Sequence, residues 1–180
     1  MFIPLAESSL ELRAGGEERN CFYFHDRDPK LPIEVKITRL PPHFDMDLNW
    51  HRHKFVEEFS VPLTGEVMIK ERKGEKVSEK RISEAILKKD EWVVGIECEG
   101  TKSVKLLVED TKGKRRKIEV RFIPEYTEGK DWHTVGNPTN SLVVMLTLKR
   151  VLRNIFKKDP LVFSIDKEKL KDYKSNPLNK

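Results

Sequence analysis

The sequence predicts an all-β protein in which residues 1–180 form one domain. Short runs of alternating apolar and polar residues recur along the chain, as in residues 33–40, and this period of two is typical of half-buried strands. Glycine and proline separate these runs, and no long amphipathic helical pattern occurs. Many short strands with frequent turns favour a barrel or a sandwich. A chain of 180 residues is large enough to bury a sizeable core.

The first 40 residues contain three predicted strands, which cover residues 10–12, 21–24 and 33–40. Gly15 and Gly16 mark a turn after the first, residues 26–32 form a loop, and Pro41 with Pro42 ends the third.

After a turn at Gly65, the sequence predicts a returning strand at residues 67–69 and an isolated strand at residues 92–96. A hairpin is predicted from residues 103–109 and 117–123, and a final apolar strand at residues 142–148. Residues 71–81 are charged and predict a loop or an exposed hairpin end, whereas residues 82–87 fit a short helix or a strand equally well. The tail predicts a helix at residues 151–156 and a short apolar run at 161–165.

The charge of the chain is mixed in sign. Its 35 basic and 30 acidic side chains give a net charge of +5. The densest basic run, residues 112–117, has a central glycine and apolar strands on both sides, which favours a solvated hairpin tip over a nucleic-acid surface. Lys and Glu dominate and Gln is absent, a bias typical of thermophile proteins. We therefore expect a thermophilic source.

The remaining composition favours an intracellular protein. Cys21 and Cys98 do not make a disulfide framework, and whether they pair is left open. No run of about 18 apolar residues is present, so no membrane span is predicted. The first residues lack the basic region and long apolar core of a signal peptide. We expect a cytoplasmic protein.

The stretch from Trp50 to Gly65 carries the clearest chemical signal. His51 and His53 are two residues apart, so on a strand both imidazoles point to one face. Glu57 and Glu58 follow, and only one of them is expected to reach the same ion. Because the chain bends at an unknown point after the histidines, strand parity does not choose between the two carboxylates. Imidazole and carboxylate together suit a divalent transition metal.

A second block, residues 132–138, supplies His133 in a similar strand context. It is the strongest candidate for a third nitrogen ligand. Three imidazoles and one carboxylate leave one or two positions open on a six-coordinate metal, as an enzyme requires. His25 and His43 lie outside both blocks and are interpreted as ordinary loop residues.

The two blocks resemble the motifs of the cupin superfamily. His51-x-His53-x4-Glu58-x6-Gly65 is similar to the first motif, and His133-x3-Asn137 to the second. The resemblance implies that His51, His53, Glu58 and His133 bind the metal, and its spacing selects Glu58 over Glu57. It also implies that Asn137 holds structure near the site without binding the metal.

This chain departs from the family pattern in its loops. Asp45 stands where the first motif has a glycine, and the stretch before His133 lacks the usual proline. The segment from residue 66 to residue 128 is also long, and it fits an extra hairpin.

The resemblance implies a double-stranded β-helix, or jelly-roll barrel, over residues 33–148. Residues 1–32 would add N-terminal strands and residues 149–180 a short helical C-terminal extension. One divalent transition metal (Fe, Mn, Ni, Zn or Co) would serve a dioxygenase, decarboxylase or isomerase acting on a small polar molecule. The alternative is a non-catalytic ligand-binding or sensor protein with a structural metal. Family likeness also predicts a homodimer.

The sequence near the histidines assigns no cation to the pocket. Arg52 has the wrong strand parity, and Lys54 follows at the expected bend. No general acid or base is therefore predicted beyond the metal ligands, and no DNA-binding helix-turn-helix pattern flanks the barrel.

Overall fold

The computed structural model describes residues 1–45, 47, 50–52, 56–122 and 132–151. Twelve strands occur in these ranges: β1 (Phe2–Pro4), β2 (Ser9–Leu12), β3 (Glu18–Tyr23), β4 (Ile33–Leu40), β5 (Val56–Thr64), β6 (Glu66–Lys73), β7 (Lys76–Ser83), β8 (Glu91–Cys98), β9 (Ser103–Asp110), β10 (Arg115–Arg121), β11 (Trp132–Gly136) and β12 (Val143–Val151). One four-residue α-helix, α1 (Phe24–Arg27), follows β3. The predicted all-β class is therefore confirmed.

The strands form three antiparallel sheets. The largest has the order β2-β3-β4-β12-β5, a second has β1-β8-β9-β10, and a third has β11-β6-β7. β12 lies between β4 and β5 and pairs with both along most of its length. The long segment between the two motifs therefore supplies more than the one extra hairpin that the sequence suggested, because β8, β9 and β10 form a sheet with β1.

The five-stranded sheet has two faces of different chemistry. One face contributes Phe22, Val35, Ile37, Phe59, Leu146 and Leu148 to the main core, together with Ile3, Ile96, Leu106 and Val108 of the four-stranded sheet. Burial of each such side chain is worth about 1.5–3 kcal/mol. The alternate residues of the same strands point to the opposite face. There a smaller cluster joins Leu40, Val143 and Met145 to Val67 of β6.

Two turns between neighbouring strands depend on particular residues. Gly65, between β5 and β6, has φ of 75°, and a Cβ on it would lie 3.1 Å from Cγ2 of Val143. Only glycine fits both conditions easily. At the tip between β9 and β10, the carboxylate of Asp110 accepts from the backbone N–H groups of Lys112 and Lys114, as an Asx turn does.

The basic run at this tip is a hairpin end, as predicted. Its side chains pair with acidic residues of neighbouring strands: Arg115 with Glu109, Arg116 with Glu91, and Lys117 with Glu97. Much of its positive charge is thus balanced within the protein's own surface.

Some expectations need correction or lie outside the described residues. His25 is not a loop residue: it belongs to α1 and is buried, because α1 packs beside β4. Residues 71–81 form most of the β6–β7 hairpin, and residues 82 and 83 end β7. Cys21 and Cys98 are buried free thiols. The predicted C-terminal extension, residues 149–180, starts within β12, which continues to Val151, and residues 152–180 lie outside the described ranges. No helix in the described ranges is long and apolar enough to cross a membrane.

Candidate metal centre

Two histidines from distant parts of the chain lie side by side. His51 and His133 form an isolated antiparallel bridge, in which the N–H of each donates to the carbonyl of the other, at 2.9 and 2.8 Å. Their ring centroids are 4.3 Å apart. β11 carries His133 and pairs with β6, so the three-stranded sheet positions this histidine and the bridge positions the other.

Glu58 completes the group from the opposite sheet. Its Oε1 lies 3.5 Å from Nε2 of His133 and 4.0 Å from Nε2 of His51. Glu57 points to the other face of β5, where it accepts a hydrogen bond from Nε of Arg150 at 2.6 Å. Strand parity alone did not choose between Glu57 and Glu58. In the structure it is Glu58 that lies beside the histidines.

The donor set fits a divalent transition metal. Two ligand atoms that are each about 2.1 Å from one ion are at most about 4.2 Å apart. Both distances to Glu58 lie within that limit, and the three ligand atoms all lie within 4.8 Å of one another. His53, the fourth predicted ligand, lies outside the described residues.

Lys149 contacts the second oxygen of Glu58. Its ammonium lies 3.2 Å from Oε2, and the residue is only 5% exposed. Burial lowers the pKa of the Lys149 amine, and nearby Lys36 lowers it further, whereas Glu58 and Glu34 oppose the shift. Glu58 thus has one oxygen toward the imidazoles and one held by a cation. An ion-pair partner outside the ligand set in this way orients a ligand carboxylate toward a metal.

The sequence did not identify Lys149, which was placed at the start of the C-terminal extension. The signal that could have found it is the continued alternation of β12 beyond Leu148. Lys149 is directly opposite Glu58 in the register of β12 with β5.

A cavity of about 40 Å³ lies beside the group. His51 and Glu58 line it, together with the cations Arg19, Lys36 and Lys149 from β3, β4 and β12. The sequence near the histidines assigned no cation to the pocket, and the structure supplies three from other strands. Arg52, which has the wrong parity, stacks on Trp132 with its guanidinium 4.9 Å from the ring centroid.

Asn137 holds the loop before β12. It is 1% exposed, and its amide nitrogen lies within 3.1 Å of the carbonyls of Leu40, Pro41 and Ser141. Its Oδ1 accepts from the backbone N–H of Thr139 at 2.9 Å. These contacts tie the end of β4 to the start of β12. They fit the structural role that the motif implies.

Comparison with known proteins finds likeness in structure only. No family model matches the chain, and no curated protein matches it in sequence. Among solved structures, oxalate decarboxylase of Bacillus subtilis at pH 4.6 and a tryptophan-to-tyrosine variant of it each superpose with a TM-score of 0.50 at 9% identity. Each of these matches covers 84% of this chain and 29% of the other. A third structure, from a study of the Mn(II) centres of the same enzyme, has the same identity and TM-score and covers 88% and 31%.

This chain thus spans about 30% of the length of the proteins it matches, and at 9% identity the likeness concerns the fold. The antiparallel sheets and the convergence of the two motif histidines with Glu58 agree with it. From the motifs, the strand topology and these superpositions together, we conclude that the chain has the cupin fold.

Proposed function

We propose that this protein binds one divalent transition metal through His51, Glu58 and His133, with His53 as the fourth ligand. The observation that carries the proposal is the convergence of three ligand atoms from three separate segments of the chain. Imidazole and carboxylate ligands suit Mn, Fe, Co, Ni and Zn alike. The similar solved structures include one from a study of Mn(II) centres, which makes Mn²⁺ the first ion to test.

Metal binding is tested on protein stripped with a chelator and titrated calorimetrically with Mn²⁺, then with the four other ions. We expect one ion per chain. His51→Ala, Glu58→Gln and His133→Ala should each lose more affinity than the roughly 10- to 100-fold typical of residues that only orient a ligand.

Glu57→Gln is the matched control, because Glu57 is adjacent in sequence and faces the other side of the sheet. It should bind Mn²⁺ like the wild type. Failure of all five ions to bind stoichiometrically, or an equal loss in Glu57→Gln and Glu58→Gln, would refute the proposal.

We further propose that the site is catalytic and acts on a small polar molecule, as a dioxygenase, decarboxylase or isomerase. Three or four protein ligands leave coordination positions open, and the adjoining cavity offers room for a small ligand. A metal bound there would act as a Lewis acid or lower the pKa of a bound water. Lys149 would keep Glu58 oriented through its second oxygen.

Turnover assays with the metal-loaded protein separate this activity from the alternative, a binding or sensor protein with a structural metal. Product formation that disappears in Glu58→Gln supports catalysis. A ligand that changes the electron paramagnetic resonance spectrum of bound Mn²⁺, with no product under any condition, supports the sensor. The homodimer expected from family likeness stays a prediction.

A further inference from the structure

The face of the five-stranded sheet that borders the metal group carries seven charged side chains. Glu17, Glu34 and Lys149 are buried, and Glu11, Arg19, Lys36 and Glu58 are partly buried. Arg19 pairs with Glu17, Lys36 with Glu34 at 2.9 Å, and Lys149 with Glu58 at 3.2 Å, while Glu11 lies opposite Arg19 in the register of β2 with β3. Three cations against four carboxylates give this layer a formal charge of −1.

This balance has a consequence for the metal site proposed above. Histidines bind a metal as neutral imidazoles, so a divalent ion would change the formal charge of this layer from −1 to +1. Uncompensated charge in a buried environment is costly. An anion that entered with the ion would offset this cost, whereas a neutral ligand such as a sugar hydroxyl would not.

The cavity offers donors for such an anion. Arg19 and Lys36 line it, and so do Thr38 and Thr147. Glu17 accepts a hydrogen bond from Nε of Arg19, and this uses one of the five N–H donors of the guanidinium. Glu34 pairs with the ammonium of Lys36, which has three N–H donors. The planar fork of an arginine matches a carboxylate or a phosphate through two N–H groups, and the size of the cavity then decides between them.

The size of the cavity limits the anion. Its volume of about 40 Å³ is a few times the roughly 10–15 Å³ that a cavity needs to hold one water. A single carboxylate group is of this order. A longer ligand would have to extend past the cavity toward solvent.

We infer that the cavity binds a small carboxylate anion through Arg19 and Lys36, cooperatively with the metal held by His51, Glu58 and His133. The inference rests on the proposed metal binding and names the ligand class of that same site. Because coupling between two sites is reciprocal, the anion must tighten metal binding by the same factor by which the metal tightens anion binding.

The test uses formate, a compact and weakly chelating carboxylate, titrated calorimetrically into metal-free and Mn²⁺-loaded protein. We expect formate to bind the loaded protein about 10-fold more tightly or better, within the usual range of coupling. Saturating formate should raise the affinity for Mn²⁺ by an equal factor. Bound formate should also change the paramagnetic resonance spectrum of the Mn²⁺, and glycerol should do neither.

Removal of a cation gives a sharper result, because the two affinities should move in opposite directions. Arg19→Met and Lys36→Met each make the layer more negative, so Mn²⁺ should bind more tightly and formate at least 10-fold more weakly. A variant that merely misfolds loses both. Lys36→Arg should restore formate binding. Lys70→Met is the control, since Lys70 lies on β6, outside the cavity lining, near Asp47 and Glu79, and should change neither affinity.

The outcomes separate the inference from the proposed function. Suppose that Mn²⁺ binds stoichiometrically but that the affinity for formate is the same with and without the metal, or the same in Lys36→Met as in the wild type. Either result overturns the inference and leaves the proposed metal site intact. Coupling to phosphate in place of formate overturns the assignment of a carboxylate. Failure of Mn²⁺ to bind refutes the proposed function itself, and the inference with it.

Discussion

Replacement of Lys149 by methionine tests the charged layer directly. Methionine keeps the length of the side chain and removes its charge, which leaves Glu58 without its cation at 3.2 Å. Breaking a buried pair by removing one partner costs about 3–5 kcal/mol. The lower end applies here, because Glu34, the other carboxylate opposite Lys149, keeps Lys36 at 2.9 Å. We therefore expect a loss of about 3 kcal/mol in the free energy of unfolding at neutral pH.

Urea unfolding of the metal-free protein measures this loss, and Arg150→Met serves as the control. Arg150 is the next residue on β12 and pairs with Glu57 on the opposite face, where the two side chains are 24% and 18% exposed. Because solvent screens this pair more, its loss should be nearer about 1 kcal/mol.

Added Mn²⁺ should distinguish the two variants. An ion bound to Glu58 restores a positive charge beside it, so Mn²⁺ should stabilise Lys149→Met more than the wild type, and Arg150→Met no more than the wild type. A loss below about 1 kcal/mol in Lys149→Met would refute the reasoning, because it would mean that the buried amine carries little charge in the folded protein. Equal stabilisation of both variants by Mn²⁺ would refute it too.

Three further predictions concern the scaffold. Asn137→Ala leaves three carbonyl acceptors without its amide and should cost about 2–3 kcal/mol of unfolding free energy in urea titrations; a change below about 0.5 kcal/mol would contradict it. Gly95→Ala places a Cβ 2.4 Å from the ring of Phe2, so β1 should shift at a cost of about 1–3 kcal/mol, seen as a lower melting temperature and faster amide exchange at β1. Hydrogen bonds from Arg116 lower the pKa of Glu91 from 4.5 to about 2. The stabilising contribution of the Glu91 carboxylate is therefore complete above about pH 4.5 and is lost as the pH falls toward 2. The difference in unfolding free energy between Glu91→Gln and the wild type should vanish near pH 2, and a difference independent of pH would contradict this.

Most of the fold was predictable because the strands are short and bounded by turn residues. The period of two in residues 33–40 and the turn at Gly65 correspond to β4 and to the β5–β6 connection. The motif spacing also anticipated that His51, Glu58 and His133 would meet. It selected Glu58, whereas strand parity left Glu57 and Glu58 both open.

The charged layer was not predictable from the sequence. Arg19, Lys36 and Lys149 each read as ordinary solvated charges, since a lone lysine or arginine on a strand normally faces water. They are buried because both faces of the five-stranded sheet are covered, and that depends on β6, β8, β9 and β11 packing from elsewhere in the chain. Local sequence holds no signal of such coverage.

The opposite chemistry of the two faces of the five-stranded sheet also constrains how the chain can fold. A slip of β12 by one residue would exchange its faces. Leu148 would then enter the charged layer and Lys149 the apolar core, so that the ion pairs of Lys149 with Glu58 and of Arg150 with Glu57 would fail together with several core contacts. β12 pairs with both β4 and β5, so the slip would disturb two ladders at once. Out-of-register states should therefore be sparsely populated during refolding, and the metal ligands should assemble in the same cooperative step as the core.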